Sequence, residues 1–166
     1  SLPADADLHP DVWVVRAQWA QQAEQQEAAA RCFAEALRRD PAHLVALQGL
    51  VQTLEGMDQV DLAHSLQHRA ATVEEFLFVL ERIMADEWSG RQALASGQIS
   101  EAAFRTYLGS AARLEQIARA AELTLKLGRP LEARAWCAYG LNADPTHTQL
   151  SQLRNQLSGE SYSGES

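Results

Sequence analysis

The chain is poor in residues that break or stiffen a helix, and it has no apolar run long enough to cross a bilayer. Its 166 residues include five prolines, nine glycines and two cysteines. Basic residues are also scarce, because 14 Lys and Arg stand against 22 Asp and Glu and leave a net charge of −8. A nucleic-acid-binding surface needs the opposite sign of charge. We therefore expect no nucleic-acid partner, and no membrane association.

Signals that would fix the compartment are missing too. The beginning of the chain carries no basic stretch followed by an apolar stretch, which is the pattern of a secretory signal. The chain begins Ser1-Leu2-Pro3 without a methionine, so we expect either a piece of a longer precursor or a chain with an added tag. These observations predict a soluble segment of unknown compartment, with the cytoplasm favoured.

Motifs of the common catalytic chemistries are absent from the sequence, including nucleophile motifs, glycine-rich phosphate loops and zinc-spaced cysteines. Cys32 and Cys137 lie far apart in alanine-rich stretches, which favours two free core thiols over a disulfide. His64 and His68 would share one helix face, where two imidazoles could offer ligands to a transition metal. Without a third ligand, an exposed polar pair is the favoured interpretation. We expect no enzyme activity, no cofactor and no metal.

Alanine, leucine, glutamine and arginine dominate the sequence, so helix is predicted nearly throughout. Apolar residues recur three and four positions apart in successive stretches. This spacing predicts helices over residues 11–23, 26–38, 44–55, 60–71, 73–88, 100–112, 114–127, 130–143 and 146–157. Residues 1–9 are predicted to be an irregular lead-in, and the low-complexity residues 158–166 a disordered tail.

The helix predicted at 73–88 is the most strongly apolar of the set. One continuous stripe on it is predicted to be buried, and it consists of Val73, Phe76, Leu77, Leu80, Ile83, Met84 and Trp88. Phe78 lies nearly opposite this stripe, either as an exposed anchor for a partner or in the core. The core is favoured for Phe78, because the first helix of a stacked hairpin has neighbours on two sides.

An internal repeat is visible when residues 27–43 are aligned with residues 131–147. Six of the seventeen positions are identical, and they include Asp40-Pro41 with Asp144-Pro145 and His43 with His147. The offset between the two stretches fits three repeats of about 34 residues each, with about two residues added. A period of this length predicts a row of helical hairpins.

Residues at signature positions make the chain resemble the tetratricopeptide-repeat (TPR) family. In the first hairpin they are Trp13, Ala17, Ala29, Phe33, Ala36 and Pro41. In the second they are Leu47, Leu50, Val51, Leu54 and Ala63, without a closing proline. In the last they are Ile117, Ala121, Ala133, Gly140 and Pro145.

The resemblance spans residues 10–157 and implies an all-α fold, a right-handed superhelical array of antiparallel helix hairpins. The hairpins are expected at about residues 10–41, 44–71, 73–112 and 114–145, followed by a C-terminal capping helix at 146–157. Such an array has a concave groove lined by the first helix of each hairpin. The resemblance therefore implies a non-enzymatic module that binds a peptide or protein segment in this groove.

The expected groove lining is rich in amides and mixed in charge. Its residues are Val14, Gln18, Gln21, Gln48, Gln52, Glu55, Arg119, Glu122 and Lys126. Val14 and Gln18 replace the lysine and asparagine by which some family members hold chaperone tails, so that ligand is disfavoured. Glutamine side chains both donate and accept, which would suit an extended peptide backbone in either direction. The alternative is that these are solvated polar positions with no ligand.

A second apolar strip on the first helix is formed by Val12, Val15 and Trp19, away from Trp13. Such a strip is expected to be covered by a preceding repeat or by another subunit. The alternative function is thus a structural or assembly module that docks through this N-terminal end face, and a weak homodimer is one form of it. Scattered surface apolar residues, which are normal on proteins, are the remaining interpretation.

Overall fold

The computed structural model describes residues 9–160, and the fold is all-α over that range, as predicted. Among these residues there are eight helices and no strand. The helices are α1 (Pro10–Gln22), α2 (Gln26–Arg39), α3 (Leu44–Gly56), α4 (Val60–Ala95), α5 (Glu101–Leu108), α6 (Ala111–Lys126), α7 (Pro130–Ala143) and α8 (Thr148–Glu160). The chain divides into two compact units, unit 1 ending at Glu74 and unit 2 beginning at Glu75. Most of the predicted lead-in lies outside the described residues.

Four of the turns that end a helix share one backbone geometry. Their central residues have positive φ angles and are Glu24, Asp58, Gly97 and Gly128. In each turn the amide of the following residue donates to the carbonyl five positions earlier at 2.9 Å, as Gln25 does to Ala20. This bond closes a Schellman motif and satisfies carbonyls that a helix end leaves unpaired. Asp58 follows Glu24 by one repeat, and Gly128 follows Glu24 by the offset of the two aligned stretches.

The repeated Asp-Pro-x-His sequence connects the end of one helix to the start of the next. Asp40 closes α2 and its carboxylate accepts from the backbone amide of Ala42 at 3.1 Å. His43 is the N-cap of α3, and its Nδ1 accepts from the amide of Ala46 at 3.2 Å. The second copy repeats these bonds at 3.0 and 3.3 Å, through Asp144, Thr146, His147 and Leu150. The two aligned stretches therefore have these residues in common because each residue makes the same capping hydrogen bond in both.

The connector also ties α3 to α1. Because Nδ1 of His43 accepts a backbone hydrogen bond, its Nε2 carries the proton and donates to Asp11 at 2.6 Å. This hydrogen bond holds the pKa of the Asp11 carboxyl below its ordinary value. One histidine thus caps a helix and bridges to the first helix of the unit.

The connector is missing at Glu74 and Glu75, which lie one repeat after Asp40 and Pro41. Nothing stops the helix there, and α4 continues for 36 residues. The prediction of two helices at 60–71 and 73–88 is wrong, because residues 60–89 contain no proline or glycine to separate them. The helix ends only before the positive-φ turn at Gly97.

Two other predicted boundaries need correction. The helix predicted at 100–112 ends at Leu108, because Gly109 terminates it and Ser110 takes an extended N-cap conformation before α6. This glycine-serine pair was a usable signal in the sequence. At the C-terminus α8 continues to Glu160, so residues 158–160 are helical rather than part of a disordered tail. Residues 161–166 lie outside the described residues.

Alanines around one aromatic ring form the α1–α2 part of the core of unit 1, and α3 adds Leu50, Val51 and Leu54. Ala17, Ala29 and Ala36 are fully buried, and Phe33 fills the space that these small side chains leave. The Phe33 ring lies against the backbone of α3 at Gly49, where no side chain intervenes. Close helix approach in this unit therefore depends on small residues facing one large residue.

The core of unit 2 combines alanines with leucines from several helices. Its fully buried members include Leu114, Ile117, Ala118, Ala121, Ala133, Cys137, Leu150 and Leu157. The predicted inward positions Leu150 and Leu157 on α8 are confirmed, and Leu153 is half-buried. The methyl of Leu150 lies directly over Gly140 on α7, which explains the glycine in that helix.

The predicted apolar stripe on α4 is only partly buried. Val73, Phe76 and Ile83 are in the core, whereas Met84 is 61% and Trp88 66% exposed, and Leu77 is exposed as well. Phe78 is 60% exposed, so its predicted core role is also wrong. Periodicity correctly showed that these side chains share faces of one helix. It did not show which of these side chains other described helices bury and which stay exposed.

A substitution at Gly49 tests the wedge in unit 1. A Cβ at this position would overlap the rigid Phe33 ring, so Gly49→Ala should lower the free energy of unfolding by about 1–3 kcal/mol. Gly56→Ala is the matched control, because its new methyl meets only the far end of the exposed Gln26 side chain and should change stability by less than about 0.5 kcal/mol. Urea denaturation measures both. Equal stability of the two variants would contradict the packing described.

Candidate functional site

Four predicted groove residues lie along two neighbouring helices of unit 1. Gln21 is on α1, and Gln48, Gln52 and Glu55 are on α3. Gln21 is half-buried and donates from Nε2 to the Thr53 hydroxyl at 3.1 Å, which ties α1 to α3. The three residues on α3 are exposed. Sequence reasoning therefore brought together side chains that do meet on one part of the surface.

These residues line two adjacent clefts that share Gln52, and we call the pair the amide groove. One cleft has a volume of about 540 Å³ and is lined by Gln21, Glu24, Gln26, Gln52, Thr53 and Gly56. The other has a volume of about 300 Å³ and is lined by Gln48, Val51, Gln52, Glu55, Gln67, Ala70, Ala71 and Glu74. Because many of these side chains end in an amide, and the buried Val51 and Ala70 are apolar, the groove offers hydrogen bonds over a partly apolar floor.

The α4 side of the amide groove was missed at the level of sequence. Gln67, Ala71 and Glu74 are spaced four and three apart, so they lie on one face of α4. The Gln48 amide donates to the Glu74 carboxylate at 2.9 Å across the cleft. The spacing was readable, but the groove was expected to draw only on the first helix of each hairpin.

Two predicted groove residues of unit 1 do not line these clefts. Val14 is 5% exposed and belongs to the core of unit 1, so it offers no surface to a ligand. Gln18 is exposed on α1 but is not part of either cleft lining. The α1 face that was assigned to the groove therefore includes a core position, Val14, and an exposed position outside the clefts, Gln18.

The predicted groove residues of the last hairpin form an ionic network in unit 2. Arg119 donates to Glu75 at 2.7 Å and to Glu122 at 3.1 Å, and Gln149 donates to Glu122 at 2.7 Å. The hydrogen bond from Arg119 lowers the pKa of the Glu75 carboxyl, and the same contact raises the pKa of Arg119. Lys126 is exposed near Glu75. These charges are largely engaged with one another.

The predicted end-face residues lie together on α1. Val12 is half-buried, Val15 is 43% exposed and Trp19 is 67% exposed. Trp13, in contrast, is half-buried with the guanidinium groups of Arg16 and Arg39 over its ring at 4.6 and 4.7 Å. The strip of Val12, Val15 and Trp19 is therefore the more accessible apolar surface of this helix.

The histidine pair and the cysteines are placed as follows. His64 and His68 are both exposed on α4, and no group of three metal-ligating side chains occurs within residues 9–160. Cys32 and Cys137 are free thiols, as predicted, but only Cys137 is a fully buried core residue, and Cys32 is half-buried. Burial raises the pKa of Cys137. A raised thiol pKa disfavours the nucleophilic thiolate. Over the same residues, no helix is long and apolar enough to span a bilayer.

A buried arginine in unit 2 had no predicted role. Arg113, at the start of α6, is 5% exposed and donates to the carbonyl of Leu108 at 2.8 Å. Its guanidinium lies 3.7 Å from the Glu87 carboxylate and 4.9 Å from the centre of the Tyr139 ring. The Tyr139 hydroxyl and the Arg91 guanidinium also donate to Glu87. No sequence pattern distinguishes this arginine from the exposed ones on other helices.

Opposing effects set the ionisation of Glu87. Burial by itself would raise its pKa, but hydrogen bonds from Tyr139 and Arg91 and the charge of Arg113 outweigh burial, so the pKa lies below the ordinary value of 4.5. Burial and the hydrogen bond to Glu87 raise the pKa of Tyr139. Glu87 is therefore a carboxylate at neutral pH and partly neutralises Arg113.

The Glu87 contacts predict a pH-dependent contribution to stability. Glu87→Gln should lower the free energy of unfolding at neutral pH by about 3 kcal/mol, because it leaves Arg113 buried without a carboxylate. Since the pKa of Glu87 is lower in the folded state, its stabilisation is complete above pH 4.5 and is lost as the pH falls through the folded-state value. The stability difference between wild type and variant should therefore shrink below pH 4.5.

Chemical denaturation at a series of pH values measures this difference. Glu81→Gln is the control, because Glu81 is exposed on the same helix and its replacement should have less than about 0.5 kcal/mol of effect. A difference that stays constant between neutral and acid pH would contradict the role given to Glu87.

No model of a known protein family matches the chain, and no curated protein matches it either. The resemblance to tetratricopeptide repeats therefore stays a prediction. The amide groove, the end-face strip and the cluster around Arg113 are the features of the described residues from which a function can be inferred.

Proposed function

We propose that the chain is a non-enzymatic protein-interaction module that holds a peptide or protein segment along the amide groove. The observation that carries the proposal is the meeting of amide side chains from α1, α2, α3 and α4 in two clefts that share Gln52. Exposed amides can pair with the donors and acceptors of an extended peptide backbone. The apolar floor beneath them would contact side chains of the bound segment.

We further propose that α1 with α2 and α6 with α7 form hairpins of tetratricopeptide type, in a right-handed superhelical array with α8 as the cap and with α4 continuing unbroken between two of the expected hairpins. Support comes from the spacing of the turns. The positive-φ turn at Glu24 recurs one repeat later at Asp58, and again at Gly128, which is the offset of the two aligned stretches. The Asp-Pro-x-His connector recurs at that same offset. A single pair of short helices is marginal in water, so stacking of such repeats would supply the missing burial.

A charged side chain in the shared part of the groove tests the binding proposal. Peptides selected from a displayed random library against the wild-type protein are the probes, and their affinities are measured by calorimetry. Gln52→Arg should weaken these peptides by about ten-fold or more, because it places a bulky cation where both clefts meet. The melting temperature should not change, since Gln52 is exposed.

Gln152→Arg is the matched control, because Gln152 is an exposed glutamine on α8 and should leave the affinities unchanged. Selected peptides that bind equally to wild type and Gln52→Arg would show that the binding surface is elsewhere, and the proposal would fail.

The second candidate is an assembly module that docks through the end-face strip. The observation in its favour is the exposure of Val15 and Trp19, four residues apart on α1. Covering an aromatic and two branched side chains contributes several kcal/mol by area, on the order of 25 cal/mol per Å². Self-association of the chain through this strip would supply that burial.

Sedimentation measurements test the second candidate. The mean mass should rise with concentration for the wild type, whereas Trp19→Glu should remain a monomer with unchanged helix content, because a carboxylate cannot be buried unpaired in an apolar contact. Trp88→Glu is the control, since Trp88 is equally exposed but lies in unit 2. A wild type that stays monomeric at millimolar concentration would contradict docking between copies through Trp19.

A further inference from the structure

A cleft of about 420 Å³ in unit 2 brings three arginines together. Arg91 on α4, Arg105 on α5 and Arg113 on α6 line it, and Glu87 is the one acidic residue of the lining. The neutral polar side chains of Tyr139 and Asn142 complete its polar wall. Three guanidinium groups and one carboxylate give the lining a formal charge of +2. This sign is opposite to the net charge of −8 on the whole chain.

Glu87 cannot neutralise all three cations. It already accepts hydrogen bonds from Arg91 at 2.9 Å and from Tyr139, and it lies 3.7 Å from Arg113. Arg105 forms no ion pair with any residue between 9 and 160, and its side chain is exposed at the cleft. The cleft therefore has spare positive charge within reach of solvent.

Arg113 differs from the other two arginines of the cleft because it is buried at the base. Its side chain is only 5% exposed, and its Nε atom has no hydrogen-bond partner among the described residues. A buried guanidinium that shares its carboxylate with Arg91 is incompletely compensated. An oxyanion in the cleft would add the missing negative charge, and arginines bind such groups through charge-assisted hydrogen bonds.

An apolar slot of about 340 Å³ adjoins this cleft. It is lined by Ile83, Met84, Ala135 and Trp136, and it shares Glu87 and Tyr139 with the cationic cleft. Met84 is largely exposed and Trp136 half-buried, so the slot is open to a ligand. Because the two clefts meet at the same two side chains, one short ligand can occupy both.

We propose that these paired clefts bind a peptide segment that carries an oxyanion, either a carboxylate or a phosphate, next to a large apolar side chain. Charge complementarity selects the oxyanion, and the aromatic and thioether walls select the apolar neighbour. Nucleic acid also carries phosphates, but the acidic chain as a whole repels it. The site uses residues of unit 2 only, so it can fail or succeed independently of the amide groove.

The test uses capped tetrapeptides titrated into protein labelled with nitrogen-15, with the arginine Nε–H resonances as the signal. The probes are acetyl-Ala-Glu-Leu-Ala-amide and the two peptides that have phosphoserine or glutamine in place of glutamate. Both anionic peptides should bind saturably and at least about ten-fold more tightly than the glutamine peptide. Comparison of the two anionic peptides identifies carboxylate or phosphate as the preferred source.

Two variants locate the effect. Arg105→Gln should reduce the advantage of the anionic peptides several-fold without disturbing the fold, because it removes one of the three cations and Arg105 is exposed and forms no ion pair among the described residues. Arg31→Gln, at an exposed arginine on α2, should leave the advantage intact. An advantage that Arg105→Gln leaves undiminished would overturn the proposal.

Changes to the ligand complete the test. Replacing the leucine of the glutamate peptide by serine should weaken binding by about ten-fold, since the apolar slot would be left unfilled. Equal binding of all the peptides to the wild type would overturn the proposal. Tighter binding of a single-stranded oligonucleotide at the same arginine resonances would overturn it in favour of nucleic acid.

Discussion

Helix termination is the constraint on which this structure depends. Helix-forming residues occupy nearly the whole chain, so the backbone continues as a helix wherever nothing stops it. Two devices provide most of the stops, namely Schellman turns with positive φ and Asp-Pro-x-His connectors that close one helix and cap the next. Where the second device is missing, at Glu74 and Glu75, a single helix of 36 residues results. The positions of the stops decide which faces can meet.

The amide groove and the cationic cleft both form where helix stops bring neighbouring helices together. In unit 1, the turn at Glu24 and the connector at Asp40 bring α1, α2 and α3 together, and their outer edges supply most of the amide groove. In unit 2, the Gly109–Ser110 break places the end of α5 beside the start of α6. Arg113 reaches back across that break to the Leu108 carbonyl, which leaves its guanidinium at the base of the cationic cleft. The amide groove is rich in neutral side chains and the cationic cleft is positive, so they suit different ligands.

Much of the helix pattern could be predicted from the sequence, because its signals are local. Pro10, Asp40-Pro41, Gly97 and Pro130 each marked a boundary within a few residues, and the repeated Asp-Pro-x-His sequence is a real connector. Burial on α4 could not be predicted in the same way. The period of an apolar stripe shows that Ile83 and Met84 belong to an apolar face, but only the neighbouring helices decide that one is buried and the other exposed.

The candidate sites show the same contrast between local signals, which the sequence carries, and contacts between helices, which it does not. Gln48, Gln52 and Glu55 could be placed on one surface because they share a helix face, whereas Glu74 and Gln67 of the same cleft were missed because they come from a different helix. Arg113 could not be found at all, since its burial arises from residues distant in the sequence. Local periodicity thus locates surfaces made by one helix, and it does not locate sites assembled from several.

The four positive-φ turns differ in one respect that bears on the history of the chain. Gly97 and Gly128 adopt the left-handed conformation without strain, whereas Glu24 holds it with a side chain that opposes it, at a cost of about 1 kcal/mol, and Asp58 is of a residue type that tolerates it better. The turn geometry thus occurs also at positions where glycine, the residue that suits it best, is absent. If the hairpins arose by duplication, their backbone has diverged less than their sequence. Relatives of such a chain are then better recognised by the spacing of their turns than by residue identity.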